Sequence, residues 1–218
     1  MIYSLDKVYH FSNKRGQNDQ YMDWFSNGNK TIANQSGIRV RSFLNAKKLQ
    51  IPYNIPSLIV LVSNNHEKSK SIVPWEPAEL NENQGILIYK GDSRKYQKHS
   101  TSIDARSKLE HTGNKHFRKV ELLIKDNFYE WLPPILYFSS VSMGRYRFKG
   151  LFIPKKISSY YDDSPHVEKD NYKMHCHRLD ENNLPLVWLR DRCQSKDIRE
   201  FDRDNAPQSW LNVMQKDI

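Results

Sequence analysis

The chain has 218 residues, 38% of them hydrophobic, with five Trp, twelve Tyr and nine Phe. That is enough apolar surface for one packed domain, alone or with a small appendage, and it excludes a disordered chain. With 34 Lys/Arg against 25 Asp/Glu the net charge is +9 and the pI about 9.4, which favours a polyanionic partner. Two cysteines, Cys176 and Cys193, make no disulfide framework. No apolar run of about 18 residues and no signal-peptide pattern follows Met1, so a cytoplasmic protein without membrane contact is expected.

Taken in chain order, Asp19–Phe25 suits a short helical turn. Asn34-Gln35-Ser36-Gly37 reads as a turn, because Asn and Gly tolerate positive φ. Ser57–Val62 and Gln84–Tyr89 are short, apolar and bounded by Ser63-Asn64-Asn65 and Gly91-Asp92-Ser93, as strands are. Lys119–Ile124, Ile135–Val141 and Tyr146–Ile153 read as further strands, ending near Asp126-Asn127, Ser142-Met143-Gly144 and Pro154. Within the last, Tyr146-Arg147-Phe148-Lys149 alternates, consistent with one wet, basic face. Leu184–Cys193 and Ala206–Met214 read as helices, the second with Pro207 early and Trp210, Leu211 and Met214 on an apolar side. The expected class is mainly β with a few helices (α+β). A recognition unit over residues 1–155 is followed by a flank over 156–218, either packed on it or joining a further domain.

Charge is unevenly spread. Residues 1–60 hold eight Lys/Arg and three acids, whereas 160–185 hold three and six. From Lys90 to Lys119 there are nine Lys/Arg and three acids, of which Asp92 opens the segment. A lone carboxylate in such a field is better suited to a neutral base edge than to phosphate, while its neighbours hold the backbone. The plainer reading of Gly91-Asp92 is a hairpin turn. Arg94, Lys95, Lys98, Arg106, Lys108 and Lys115 are candidate DNA contacts, and Arg39 and Arg41 are spaced for one strand face, as a phosphate-contacting stripe would be. Tyr89 reads equally as core or as pocket wall.

Other chemistries find less support. His175 and His177 share a strand face while Cys176 points away, so with Cys193 they make no convincing zinc site. His99, His111 and His116 could pair with phosphate but form no nucleophile–base arrangement. A complete small nuclease would need Asp162, Asp163, Glu168 and Asp170 to gather a divalent ion, yet Ser158–Asn171 reads as a solvated loop. A sheet of exposed aromatics in an RNA-binding pattern is not seen.

Several segments, in order, resemble one family: Asn34-Gln35-Ser36-Gly37-Ile38-Arg39, Trp75 before an acidic loop, Gly85 through Tyr89-Lys90-Gly91-Asp92, and Gly113-Asn114. Leu132-Pro133-Pro134-Ile135, Arg147-Phe148-Lys149-Gly150-Leu151-Phe152-Ile153-Pro154, Trp188-Leu189 and Ala206-Pro207-Gln208-Ser209-Trp210 follow. Together they resemble the N-terminal recognition domain of AspBHI-type (MspJI-related) modification-dependent restriction endonucleases, which is related to SRA domains.

The resemblance implies an SRA-like curved β-barrel over residues 1–155 that flips a modified cytosine out of duplex DNA into a pocket. Asp92, after Gly91, would accept from the exocyclic amine and Tyr89 would line or stack on the ring. Trp75 would wall the pocket or anchor its Pro-rich loop. The loop of Asn34, Gln35, Ser36, Gly37 and Arg39 would reach into the groove. Asn114 would brace the pocket loop or touch DNA.

The sequence departs from the pattern in the long insertion between Asp92 and Gly113. It also lacks a nuclease core, since Glu121–Lys125 and Glu168-Lys169 have the residue types at the wrong spacing. The chain therefore reads as the non-catalytic recognition part of a type II or IV restriction endonuclease, binding duplex DNA with 5-methylcytosine or a related base. It needs no cofactor of its own, Mg2+ being expected only for a nuclease domain or subunit. The alternative is a restriction-enzyme domain that reads unmodified DNA without flipping.

Overall fold

The long apolar runs of the sequence form the middle of a mixed sheet. The computed structural model describes residues 2–10, 37–43, 51–63, 78–91, 112–142, 145–162 and 169–216. The strands are β1 (Ile2–Ser4), β2 (Val8–His10), β3 (Ile38–Arg41), β4 (Leu58–Ser63), β5 (Glu79–Asn81), β6 (Ile86–Lys90), β7 (Ile135–Ser142), β8 (Arg145–Asp162), β9 (Lys169–Arg178) and β10 (Asn183–Pro185). The helices are α1 (Thr112–Lys125), α2 (Leu186–Arg192), α3 (Ile198–Asn205) and α4 (Gln208–Lys216). An eight-stranded sheet runs β3-β4-β7-β8-β9-β6-β5 with β2 beside β8, and β1 pairs with β10 in a small second sheet. Among the described residues the sheet does not close into a barrel, β3 and β5 standing at its ends. The fold is mainly β with helices, as expected.

All six residues of β4 are buried, which suits its unbroken Leu-Ile-Val-Leu-Val run for a strand covered on both faces. It lies parallel to β7, and the crossover that a parallel pair requires contains β5, β6 and α1. The other pairings are antiparallel, and the β5–β6 hairpin closes on Gly85 at φ 63°, a left-handed position that suits glycine.

Three expectations are corrected, the first being the loop Ser158–Asn171, whose two ends are paired strand in β8 and β9 because the ladder between them extends to Asp162 opposite Lys169. Lys119–Ile124 is not a strand but the second half of α1. Phe117, Val120 and Leu123 recur every three residues and bury completely, and the Lys, Glu and Leu between them are good helix formers. The division at residue 155 falls inside β8, and β9 pairs with both β8 and β6, so the first part of the flank belongs to the sheet. Leu184–Cys193 is divided between β10 and α2, whereas α4 follows Pro207 as anticipated. Asp19–Phe25 lies outside the described residues. None of the described helices is long and apolar enough to cross a membrane.

The last three helices are joined to the sheet by one buried cation. Arg192 of α2 is fully buried and meets both carboxylate oxygens of Asp202 on α3, at 3.2 and 2.9 Å. Its remaining nitrogens donate to the carbonyls of Ser57 (2.7 Å) and Leu132 (3.2 Å), and Trp188 Nε1 donates to Asp202 at 2.9 Å. Asp197 caps α3, accepting from the N–H groups of Arg199 and Glu200. Removing the acid alone leaves the guanidinium buried without its counter-charge. Asp202→Ala should therefore lower the unfolding free energy by about 3–5 kcal/mol in urea denaturation.

Candidate nucleic-acid interface

Strand β6 alternates, with Leu87 and Tyr89 fully buried and Ile86, Ile88 and Lys90 partly covered on the other face. Tyr89 is held at both ends. Its hydroxyl donates to the Val62 carbonyl at 2.8 Å, and its ring meets Phe117 of α1 edge-on. The strand then ends in a close contact. Gly91 N–H donates to the Tyr172 carbonyl at 2.7 Å, and the Gly91 carbonyl accepts from Asn171 Nδ2 at 3.4 Å. Asn114, in the first turn of α1, donates through Nδ2 to Asn171 Oδ1 at 2.9 Å. Both asparagines are fully buried. A Cβ on Gly91 would lie 2.5 Å from Asn171 Oδ1 and nearer still to Asn114 Oδ1, so this glycine is required by close approach.

The elements that meet here carry cations on both sides of the sheet. Lys115 and Arg118 are exposed on α1, and Lys119 donates to the Asn54 carbonyl at 3.0 Å. Lys90 stands opposite Lys173 in the β6–β9 register, and Lys173 Nζ lies 4.5 Å from the ring centre of Tyr160. Lys156 is exposed opposite His175, whose pKa is lowered by burial and then by Lys156 and Lys173, leaving the ring neutral at pH 7. Several cations are matched by acid: Lys90 pairs with Glu79 (3.7 Å), Lys125 with Glu121 (2.8 Å), Lys149 with Asp6 (2.8 Å) and Glu82 (2.6 Å), and Arg178 with Glu82 (2.8 Å). Lys115, Arg118 and Lys156 are exposed and open to a polyanion.

Among the expected site residues, Asn34, Gln35, Ser36, Trp75, Asp92, Arg94, Lys95, Lys98, Arg106 and Lys108 lie outside the described residues. Gly37 has φ 82° and accepts from Val62 N–H at 2.8 Å, ending the β3–β4 ladder. Arg39 and Arg41 do share a face, but they are only 9% and 7% exposed. Arg41 reaches Cys193 beneath the C-terminal helices. Being buried, these two do not form an open phosphate stripe. Tyr89 is fully buried, Asn114 is buried and bonded to Asn171, and Lys115 is exposed.

The sequence reading missed Asn171, Arg118, Lys156 and Lys173. Among the described residues no three His, Cys, Asp or Glu side chains converge to hold a metal. His175 and His177 lie on one side of β9 with Cys176 buried on the other, its thiol pKa pushed up by burial.

The sequence model of the family described as restriction endonuclease AspBHI N-terminal matches residues 3–218. The chain belongs to that family. This member of the AspBHI N-terminal family is similar to the DNA modification-dependent restriction endonuclease AspBHI, at 23% identity and a TM-score of 0.67, covering 99% of this chain and 91% of that one. It is similar to the MspJI restriction endonuclease in complex with a 27-mer oligonucleotide, at 17% identity and 0.72, covering 98% and 51%. It is also similar to the DNA recognition domain of the cytosine modification-dependent restriction endonuclease LpnPI, at 18% identity and 0.61, covering 100% and 88%. At these identities the likeness establishes a shared fold, and the chain spans about half of the MspJI chain. No curated protein sequence matches this AspBHI N-terminal family member.

Two outcomes follow from the geometry. Gly91→Ala should cost about 1–3 kcal/mol in urea denaturation, because two buried amides must give way. His116 is the second test. Burial, then Lys119, lower its pKa from 6.5 to about 4, and its Nδ1 is buried without a hydrogen-bond partner. The unfolded chain therefore takes up the proton first, and stability falls as pH drops from 6.5 towards 4, by at most about 3 kcal/mol. In His116→Leu, melting temperature followed across this window should decline less steeply than in the wild type.

Proposed function

We propose that this chain is the DNA-recognition domain of a restriction endonuclease, binding duplex DNA that carries 5-methylcytosine or a related modified cytosine. The observation that carries the reading is the fixed exit of β6 beside the basic first turns of α1, in a member of the AspBHI N-terminal family. The modified base is extruded into a pocket that begins at Gly91. Asp92 accepts from the exocyclic amine there, and Tyr89 anchors the strand behind it rather than offering an open stacking face. Lys115, Arg118, Lys156 and Lys173 hold phosphates, so affinity is strongly salt-dependent. The names of two structural relatives, modification-dependent AspBHI and cytosine modification-dependent LpnPI, support the choice of ligand. Cleavage and its Mg2+ belong to a nuclease domain or subunit.

The deciding experiment is fluorescence-anisotropy binding to duplex pools with cytosine either unmodified or 5-methylated, at several salt concentrations. Preference for the methylated pool is expected. Equal affinity would replace the reading by a domain that recognises unmodified sequence, and binding to neither pool would remove DNA as the ligand. Asp92→Ala should abolish the preference while salt-sensitive binding persists. Lys115→Gln with Arg118→Gln should weaken both pools alike. The slope of log K against log salt should flatten by up to about 2, near 0.9 for each phosphate that is no longer neutralised.

A further inference from the structure

No motif in the sequence points to Asn171, yet its side chain is the most connected polar group near the candidate site. It lies fully buried on β9. Its Oδ1 accepts from Asn114 Nδ2 at 2.9 Å and from Tyr172 N–H at 2.8 Å. Its Nδ2 donates to the Gly91 carbonyl and to the Tyr160 hydroxyl, both at 3.4 Å. Two acceptor and two donor positions are all that a carboxamide has, and here all four are used. The partners come from α1, β9, the end of β6 and β8.

Other side chains do not replace it. An aspartate would set an oxygen against the Gly91 carbonyl, and an apolar residue would remove the bond that Asn114 Nδ2 makes to this side chain. The two 3.4 Å bonds are long, so the Gly91 peptide is held by packing as well as by hydrogen bonding, consistent with the absence of room for a Cβ. Tyr160 extends the network outward, since its ring carries the Lys173 ammonium.

We propose that Asn171 is a positioning residue for base recognition: it sets the Gly91 peptide at the exit of β6, with Tyr160 as its outer support. The proposal rests on the modified-base reading above. Asn171 touches neither DNA nor the base. It acts through the backbone it holds, so its loss reduces discrimination and leaves phosphate-based affinity in place.

The test compares wild type, Asn171→Ala and Tyr160→Phe for binding to the methylated and unmodified pools, at a temperature where urea melts show each to be folded. The readout is the ratio of the two affinities, with the unmodified pool and its salt slope as internal control. In Asn171→Ala the ratio should fall about tenfold, the scale of one or two net hydrogen bonds, while unmodified binding stays within about twofold. Tyr160→Phe keeps the ring under Lys173 and removes only the hydroxyl, so the ratio should fall by a smaller factor. An unchanged ratio in folded Asn171→Ala, or a parallel loss on both pools, overturns the proposal. If Asn171→Ala does not fold, an unchanged ratio in Tyr160→Phe overturns it and a reduced one supports it. A wild-type ratio of one is a different result, sinking the modified-base reading and this inference together.

Discussion

The long antiparallel ladder between β8 and β9 is the constraint on which the other elements depend. It pairs ten residues from Phe152 opposite Arg178 to Asp162 opposite Lys169. β7 and β2 bond to β8, β6 bonds to the far side of β9, and α1 packs across both strands. Because side chains alternate along a strand, the register also decides which residues face α1 and which face out. With Met174 opposite Ile157, the apolar residues of both strands fall on the inner side, and Lys173 and His175 fall on the other with Ser158 and Lys156. A slip of one residue would exchange core for basic surface. It would also remove Asn171 from the end of β6.

Two different buried polar networks hold the two ends of the fold. At the helical end, Arg192 replaces its lost hydration with one carboxylate and two backbone carbonyls, which is what a buried guanidinium requires. That arrangement ties α2 and α3 to the start of β4 and the turn before β7. At the Gly91 end the network is neutral, made of two asparagine amides and a tyrosine hydroxyl. A neutral network costs less to bury than a charged one, and its directional bonds fix a peptide without adding a field that would compete with the surrounding cations for phosphate.

The charge pattern follows the same division. Lys149 and Arg178 share Glu82, and Arg199 is paired with Glu130, so those parts of the surface are locally balanced. On α1 Lys125 is paired with Glu121, whereas the pKa of Lys119 is lowered by burial and then by Lys115. An ammonium held beside like charge gains more from an approaching phosphate than one already paired, because the anion relieves the repulsion as it binds.

The sequence alone determined a good deal. Composition and apolar runs located β4, β6, β7 and the start of β8. The Pro207 signal located α4. The ordered motifs named the family, because turn chemistry and strand period are local properties. Tertiary structure decided the rest. The apolar residues of Lys119–Ile124 suit either period when read in a short window, and only the buried spacing of Phe117, Val120 and Leu123 makes them a helix. Arg39 and Arg41 share one face, but their burial is set by tertiary packing, Arg41 lying against Cys193 from the far end of the chain. Asn171 was invisible for the same reason: its four partners come together only when β6, α1, β8 and β9 are assembled, and a hydrogen bond across that distance leaves no periodic trace in the chain.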